Sequence, residues 1–247
     1  MKITTSKEAI MTEQEYLASY NAKDFDSPLV TVDSVLFTIR EGDLHVLLVK
    51  RANHPFINHW GLAGGFIDLE ADAELADCAI RKLTEKTGIA PPYLKQLSTR
   101  GNAKRDPRGY SVSTGFYALI DHQECTALNA DVSDAQWFKF TELPEQLAFD
   151  HREIIEYAYT RLTNDARFRL VVAHALPKQF TLAQFQAAHE VILGQPLSKA
   201  SFRRRIERAQ VLESTGEFCK KHARPAELFR VKPELDNYEF DQSIAMN

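Results

Sequence analysis

Two stretches of the chain carry residues whose types and spacing could do chemistry. The first runs from Trp60 to Gly88, WGLAGGFIDLEADAELADCAIRKLTEKTG. A Gly-Gly pair leads through Glu70, Asp72 and Glu74 into a helical period bearing Arg81, Lys82, Glu85 and Lys86. Carboxylates at i, i+3 and i+4 share one helical face. Three of them within a turn would bind Mg²⁺ or Mn²⁺ and activate water. Here that face carries one carboxylate, Glu85, and two ammoniums, Lys82 and Lys86. Two like charges about 4 Å apart cost about 4 kcal/mol at an effective dielectric near 20, so a divalent cation would meet repulsion there. The second stretch is LSKASFRRRIERAQVL, Leu197 to Leu212. Phe202, Ile206 and Ala209 form its apolar stripe, while Lys199, Ser201, Arg203, Arg204, Arg205 and Arg208 cover most of the rest. Arginine suits bidentate contact with guanine and with phosphate.

These groups need elements to hold them. Leu29–Thr38, Leu44–Lys50, Tyr110–Ile120 and Ala135–Phe140 alternate or are β-branched, and are expected as strands. Gly64-Gly65 is expected to break the chain. Glu74–Thr87 follows a helical period with Leu75, Cys78, Ala79 and Leu83 inward, and Gly88 sits at its C-cap. His151–Leu162 and Thr181–Leu193 are further helices. A Gly-Gln-Pro turn then leads to Ser198, the expected N-cap of Lys199–Gln210. Val211–Phe218 and Ala226–Val231 form a hairpin around CKKHARP, Cys219 to Pro225, which adds Lys220, Lys221, His222 and Arg224. Helix, turn, helix and hairpin in this order place the second helix in a major groove and the hairpin along phosphates. Thr12-Glu13-Gln14-Glu15 is a capping-box sequence, so a helix is expected over Glu13–Tyr20.

The first stretch resembles the Nudix hydrolase signature. In that signature a Gly-Gly turn precedes a helix with Arg-Glu-x-x-Glu-Glu-x-Gly, and one more Glu precedes the helix. Gly64-Gly65, Arg81, Leu83, Glu85 and Gly88 match it, whereas Lys82 and Lys86 stand where the pattern has Glu. The spacing from Gly65 to Arg81 is about two residues longer than the pattern. The pre-helix Glu position falls on Ala73, with Glu70, Asp72 and Glu74 as substitutes. LLVKR from Leu47, HWGLAGG from His59 and RDPRGY from Arg105 are similar to the ADP-ribose branch of the family. The resemblance implies the Nudix fold, with a ligand pocket that can outlive catalysis. Arg51, Arg81, Arg105 and Arg108 are its candidate donors, with Glu85 on the same helix and Trp60 or Phe66 in its wall.

Ser198, Phe202, Arg203, Arg204 and Ile206 make a Ser-x-x-x-Phe-Arg-Arg-x-Ile pattern, followed by Thr215-Gly216-Glu217 and ARPAELFR from Ala223. Together with the altered Nudix segment they resemble the Nudix-related transcriptional regulators of NAD metabolism, the NrtR family, over about residues 28–232. By that resemblance Arg203 and Arg204 belong to a recognition helix and Arg224 to a wing. It implies a repressor of NAD-biosynthesis genes that binds double-stranded DNA as a homodimer on a palindromic operator. An inactive Nudix domain would sense ADP-ribose or a related nucleotide and release the DNA. The alternatives are an active ADP-ribose pyrophosphatase with a rearranged metal site, and a module whose basic helix binds acidic partners.

Composition agrees with two joined units. The net charge of −4 hides 15 basic against 22 acidic residues in 1–150, and 15 against 12 in 151–247. Between Lys199 and Arg230 there are 9 basic and 4 acidic residues. With 44% hydrophobic residues, whole-chain disorder is excluded. Three cysteines without C-x-x-C spacing exclude a disulfide framework or zinc motif, and no apolar run could span a membrane. The expectation is an α+β protein. An N-terminal arm (1–22) precedes a Nudix α/β/α sandwich with a mixed sheet (23–150), a winged helix-turn-helix (151–232) and a polar tail (233–247) with little core to join. A cytoplasmic location is expected, with no catalytic residues, no metal and no cofactor.

Overall fold

In the computed structural model, residues 11–126, 128–219, 225–233, 235 and 238–245 are described. Lys220, Lys221, His222 and Arg224 lie outside them. A seven-stranded mixed sheet is built from β1 (Leu29–Arg40), β2 (Asp43–Arg51), β3 (Trp60–Gly61), β4 (Ala63–Phe66), β5 (Lys95–Asn102), β6 (Ser111–Leu119) and β7 (Val132–Lys139). Its path is β3-β2-β1-β6-β5, with β4 paired to β1 and β7 to β2. Strand β1 runs parallel to β6 and antiparallel to β2.

Alternate residues of β1 and β6 enter different cores. Val35, Phe37, Tyr117 and Leu119 face one cluster, while Leu36 and Ala118 face another containing Leu83 and Ile89. A strand buried on both faces reads as a continuous apolar run. Helix α2 (Leu75–Thr87) covers the second face, with its C-cap Gly88 in the left-handed region at φ 76°. The first face is covered by α3 (His151–Phe168) and then α4 (Leu182–Leu193). Helix α3 is about two turns longer than the sequence pattern suggested. Its Asp165 accepts hydrogen bonds from the Tyr117 hydroxyl and from Lys95 (3.1 Å), tying α3 to the sheet.

Thr181 caps α4 in a full capping box, and Ser198 caps α5 (Lys199–Ala209), as expected. Strands β8 (Leu212–Cys219) and β9 (Ala226–Val231) form the hairpin. Thr12 caps α1 (Glu13–Ser19) through the expected box, and α1 buries no residue. No helix among the described residues is long and apolar enough to cross a membrane.

Three expectations are corrected. Gly64-Gly65 does not break the chain but pairs with Asp33 and Val32 of β1. A Cβ on Gly64 would lie 2.2 Å from the Val32 carbonyl and 2.6 Å from Asp33 Oδ1, so glycine permits the close approach. Leu75, expected inward on α2, is exposed, because it sits in the first turn of the helix, ahead of the buried Cys78, Ala79 and Leu83. The C-terminal segment does join the core: Phe240 and Ile244 are buried, and their N–H groups donate to the Phe168 and Arg167 carbonyls at 2.7 and 2.8 Å. Leu235, Tyr238, Phe240 and Ile244 are scattered among acidic and polar residues without a helical or strand period, so the segment does not read as core.

Candidate functional site

A cavity of about 320 Å³ opens between β1, β4, α2 and the N-terminus of α3. Its size suits a small organic ligand. The strands and α2 meet here because Gly64 lets β4 lie against β1, carrying the α2 face to the cavity.

Asp33 of β1 is its buried anchor. It accepts from Ser113 Oγ (2.6 Å), from Arg105 Nη2 (3.4 Å) and from His151 Nε2 (3.3 Å). Burial opposes its ionisation, but the groups donating to it from His151, Ser113 and Arg105 hold its pKa at about 2. The Leu62 N–H donates to His151 Nδ1 at 2.9 Å, which places the ring proton on Nε2, toward Asp33. His151 is the first residue of α3, so the helix leading to the C-terminal unit starts in the cavity wall.

Of the expected ligand residues, Arg51, Phe66, Arg105 and Arg108 line the cavity. Arg51 donates to the Pro55 carbonyl (2.7 Å) and lies 5.0 Å from the Phe149 ring centroid. Burial and the charge of Arg108 lower its pKa. Arg108 pairs with Asp106 (2.7 Å) and lies 5.0 Å from the Phe66 ring. Arg105 is buried, and its donors go to Asp150, Ser111 and Asp33, so it braces the wall.

Trp60, Arg81 and Glu85 do not line the cavity. Trp60 packs on Phe138 (4.8 Å) against the α3-side core. Arg81 is held by Asp72 (2.7 Å) and Glu85 (3.1 Å). The Arg81 hydrogen bonds hold Asp72 below the usual carboxylate range. Glu85 is also bonded by Lys82 (3.2 Å). Partial burial opposes its ionisation, yet Arg81 and Lys82 lower its pKa.

Sequence reading missed Phe149, Asp33, Asp106, Asp131 and His151 at this cavity. Phe149 adopts φ 53°, a left-handed conformation uncommon for a bulky residue. Asp106 lies in the RDPRGY segment between two candidate arginines, but no local pattern marks the other four, because the fold gathers them from separate elements.

A divalent metal does not fit this donor set. Lys82 and Lys86 line the cavity, and Glu85 and Asp72 are committed to Arg81. Among the described residues, no group of three or more His, Cys, Asp or Glu is placed to hold a metal ion.

The second candidate site is the exposed face of α5. Phe202 and Ile206 are buried, and Phe202 packs against Phe185 (5.7 Å) and His189 (5.3 Å) of α4. Lys199, Arg203, Arg204 and Arg208 are exposed, and Ser201 is half-exposed. Arg203 is bonded to Glu207 at 2.7 Å. Arg205 departs from the expectation: it donates to the Ser243 carbonyl (2.6 Å), because the buried C-terminal segment runs past that side of the helix.

Residues 30–158 match the NUDIX domain family, and residues 172–231 match the NrtR DNA-binding winged helix domain. The chain is 42% identical over 231 residues to the ADPR responsive transcriptional repressor NtrR of Acinetobacter baylyi, covering 93% of this chain and 92% of that protein. It is similar to the crystal structure of Shewanella oneidensis NrtR complexed with a 27mer DNA. That match has 47% identity and a TM-score of 0.80, and covers 87% of this chain and 98% of that one. The NUDIX domain of the same Shewanella protein, complexed with ADP ribose, matches at 49% identity with a TM-score of 0.59. It covers 62% of this chain and 99% of that one.

Proposed function

Because the chain belongs to the NrtR family, a NUDIX domain joined to a DNA-binding winged helix, we propose that it is an ADP-ribose-responsive transcriptional repressor. It binds double-stranded DNA through α5 and represses genes of NAD metabolism. The observation that carries this is the division of α5: Phe202 and Ile206 are buried in the helix pair while Arg203, Arg204 and Arg208 face solvent. An arginine-bearing second helix of this kind fits a major groove. A homodimer would present two such helices to a palindromic operator about one helical turn apart. Its place of action is the cytoplasm.

The cavity takes ADP-ribose or a related nucleotide, with Phe66 and Phe149 as apolar walls and Arg51 and Arg108 toward its phosphates. The effector releases DNA by binding the DNA-incompetent state more tightly. No cofactor is required. Lys82 and Lys86 support the reading that the NUDIX domain does not hydrolyse its ligand.

Gel shift with fragments upstream of NAD-biosynthesis genes tests the proposal. The wild-type chain should shift one class of fragment, with a log–log salt slope of about −0.9 per neutralised phosphate. Arg203→Ala with Arg204→Ala should abolish the specific shift, and added ADP-ribose should reverse it in the wild type. A double variant that shifts the same fragment normally refutes the assignment. Release of AMP from ADP-ribose with Mg²⁺, lost on Glu85→Gln, would restore the hydrolase reading.

A further inference from the structure

We propose that the ammonium groups of Lys82 and Lys86 stand in the place of a divalent cation and hold the effector's diphosphate directly, so that binding needs no metal. This rests on the nucleotide-sensing reading above and assigns the groups that recognise the ligand.

Lys82 and Lys86 lie one turn apart on α2, and both line the cavity. Lys86 is only 9% exposed. Its Nζ donates to the Gly64 carbonyl at 2.8 Å, which uses one of its three N–H donors. No carboxylate among the described residues lies within ion-pair distance of it. A buried ammonium is costly unless a counter-charge and further hydrogen bonds compensate it. Burial accordingly lowers its pKa. An anion in the cavity supplies the missing partner.

Lys82 is brought to the same place by Gly65. A Cβ there would come within 3.2 Å of Lys82 Cδ and Cε, so glycine leaves the lysine stem its path along β4. The cavity lining holds five basic side chains, including these two, against the carboxylates of Asp33, Asp106 and Asp131. Glu85 pairs with Lys82 and Asp150 with Arg105, so among the described residues Lys86 and Arg51 are the two of these cations without an ion pair, and together they match the charge of a diphosphate diester at neutral pH. A metal would add two more positive charges beside the ammoniums, and among the described residues no carboxylate set is placed to bind it. Holding the diphosphate by ammoniums also leaves no metal-activated water. The ligand is therefore retained and not consumed.

The test is calorimetric titration of the full chain with ADP-ribose, first in EDTA and then in excess Mg²⁺. The wild type should bind with the same affinity in both. Lys86→Met and Lys82→Met should each weaken binding about tenfold or more in EDTA, the scale of one lost charge-assisted hydrogen bond. Lys82 is the more exposed, so its variant carries the test if Lys86→Met fails to fold. Changing both lysines to Glu should give binding that appears only with Mg²⁺. Wild-type binding that vanishes in EDTA and returns with Mg²⁺ would overturn the inference and leave nucleotide sensing standing. Wild-type affinity in Lys82→Met in EDTA would overturn it too. No binding to the wild type in either buffer would instead remove the nucleotide-sensing reading, and this inference with it.

Discussion

The contact between His151 and Gly61 offers a direct test of how the cavity is joined to α3. His151 accepts from Leu62 N–H (2.9 Å) and donates to Asp33 (3.3 Å), and all three residues are buried. His151→Ala removes both bonds. Each buried partner left unsatisfied costs about 1–3 kcal/mol, the more so for the charged Asp33, so a loss of about 2–5 kcal/mol is expected. In a chain of this length that is a fall in Tm of about 10 °C. Gly61→Ala perturbs the same contact from the other side. Its Cβ would lie 2.7 Å from His151 Nδ1 and 3.2 Å from Cε1, so the ring must move. Overpacking of this kind costs about 1–3 kcal/mol. The two effects should not add. With the ring gone, Gly61→Ala should cost far less in the His151→Ala background than in the wild type, because the clash is with the ring itself. Thermal or urea unfolding of the four proteins completes the cycle. A Gly61→Ala cost that is equal in both backgrounds refutes the reasoning. The same variants titrated with ADP-ribose on bound DNA read the link to α3. Each should need more ligand for release than the wild type, since α3 is no longer anchored in the cavity wall.

Two further outcomes are expected. His189 is fully buried, and burial pushes its imidazole down to about 4. The unfolded chain takes up that proton near pH 6.5, so stability is whole above 6.5 and falls as pH drops toward 4, by about 3 kcal/mol. His189→Leu should flatten this part of the Tm–pH profile, and an unchanged slope would count against it. Phe240→Ala with Ile244→Ala should lower stability by about 3–6 kcal/mol, from the burial of two large apolar side chains. Denaturant unfolding with no shift of midpoint would place the C-terminal segment outside the core.

Much of this protein was legible in local patterns. Thr12, Thr181 and Ser198 cap helices, and Gly88 ends one, because a cap needs only a side chain and the backbone a few residues away. The apolar stripe of α5 named Phe202 and Ile206 as its buried face for the same reason. The two lysines on α2 were readable as like charges one turn apart, because helical spacing alone puts them on one face. Local pattern could not tell which arginines would face the cavity. Arg81 and Arg108 look alike in the chain, yet Asp72 folds back onto Arg81 while Arg108 reaches Phe66. Arg205 sits in the same basic run as Arg203 and Arg204, but the C-terminal segment takes it up. Short-range geometry set the helices and the chemistry each could offer. The cavity was decided only by tertiary packing, because Asp33, Phe149 and His151 come from separate parts of the chain and meet only when the sheet and α3 close together.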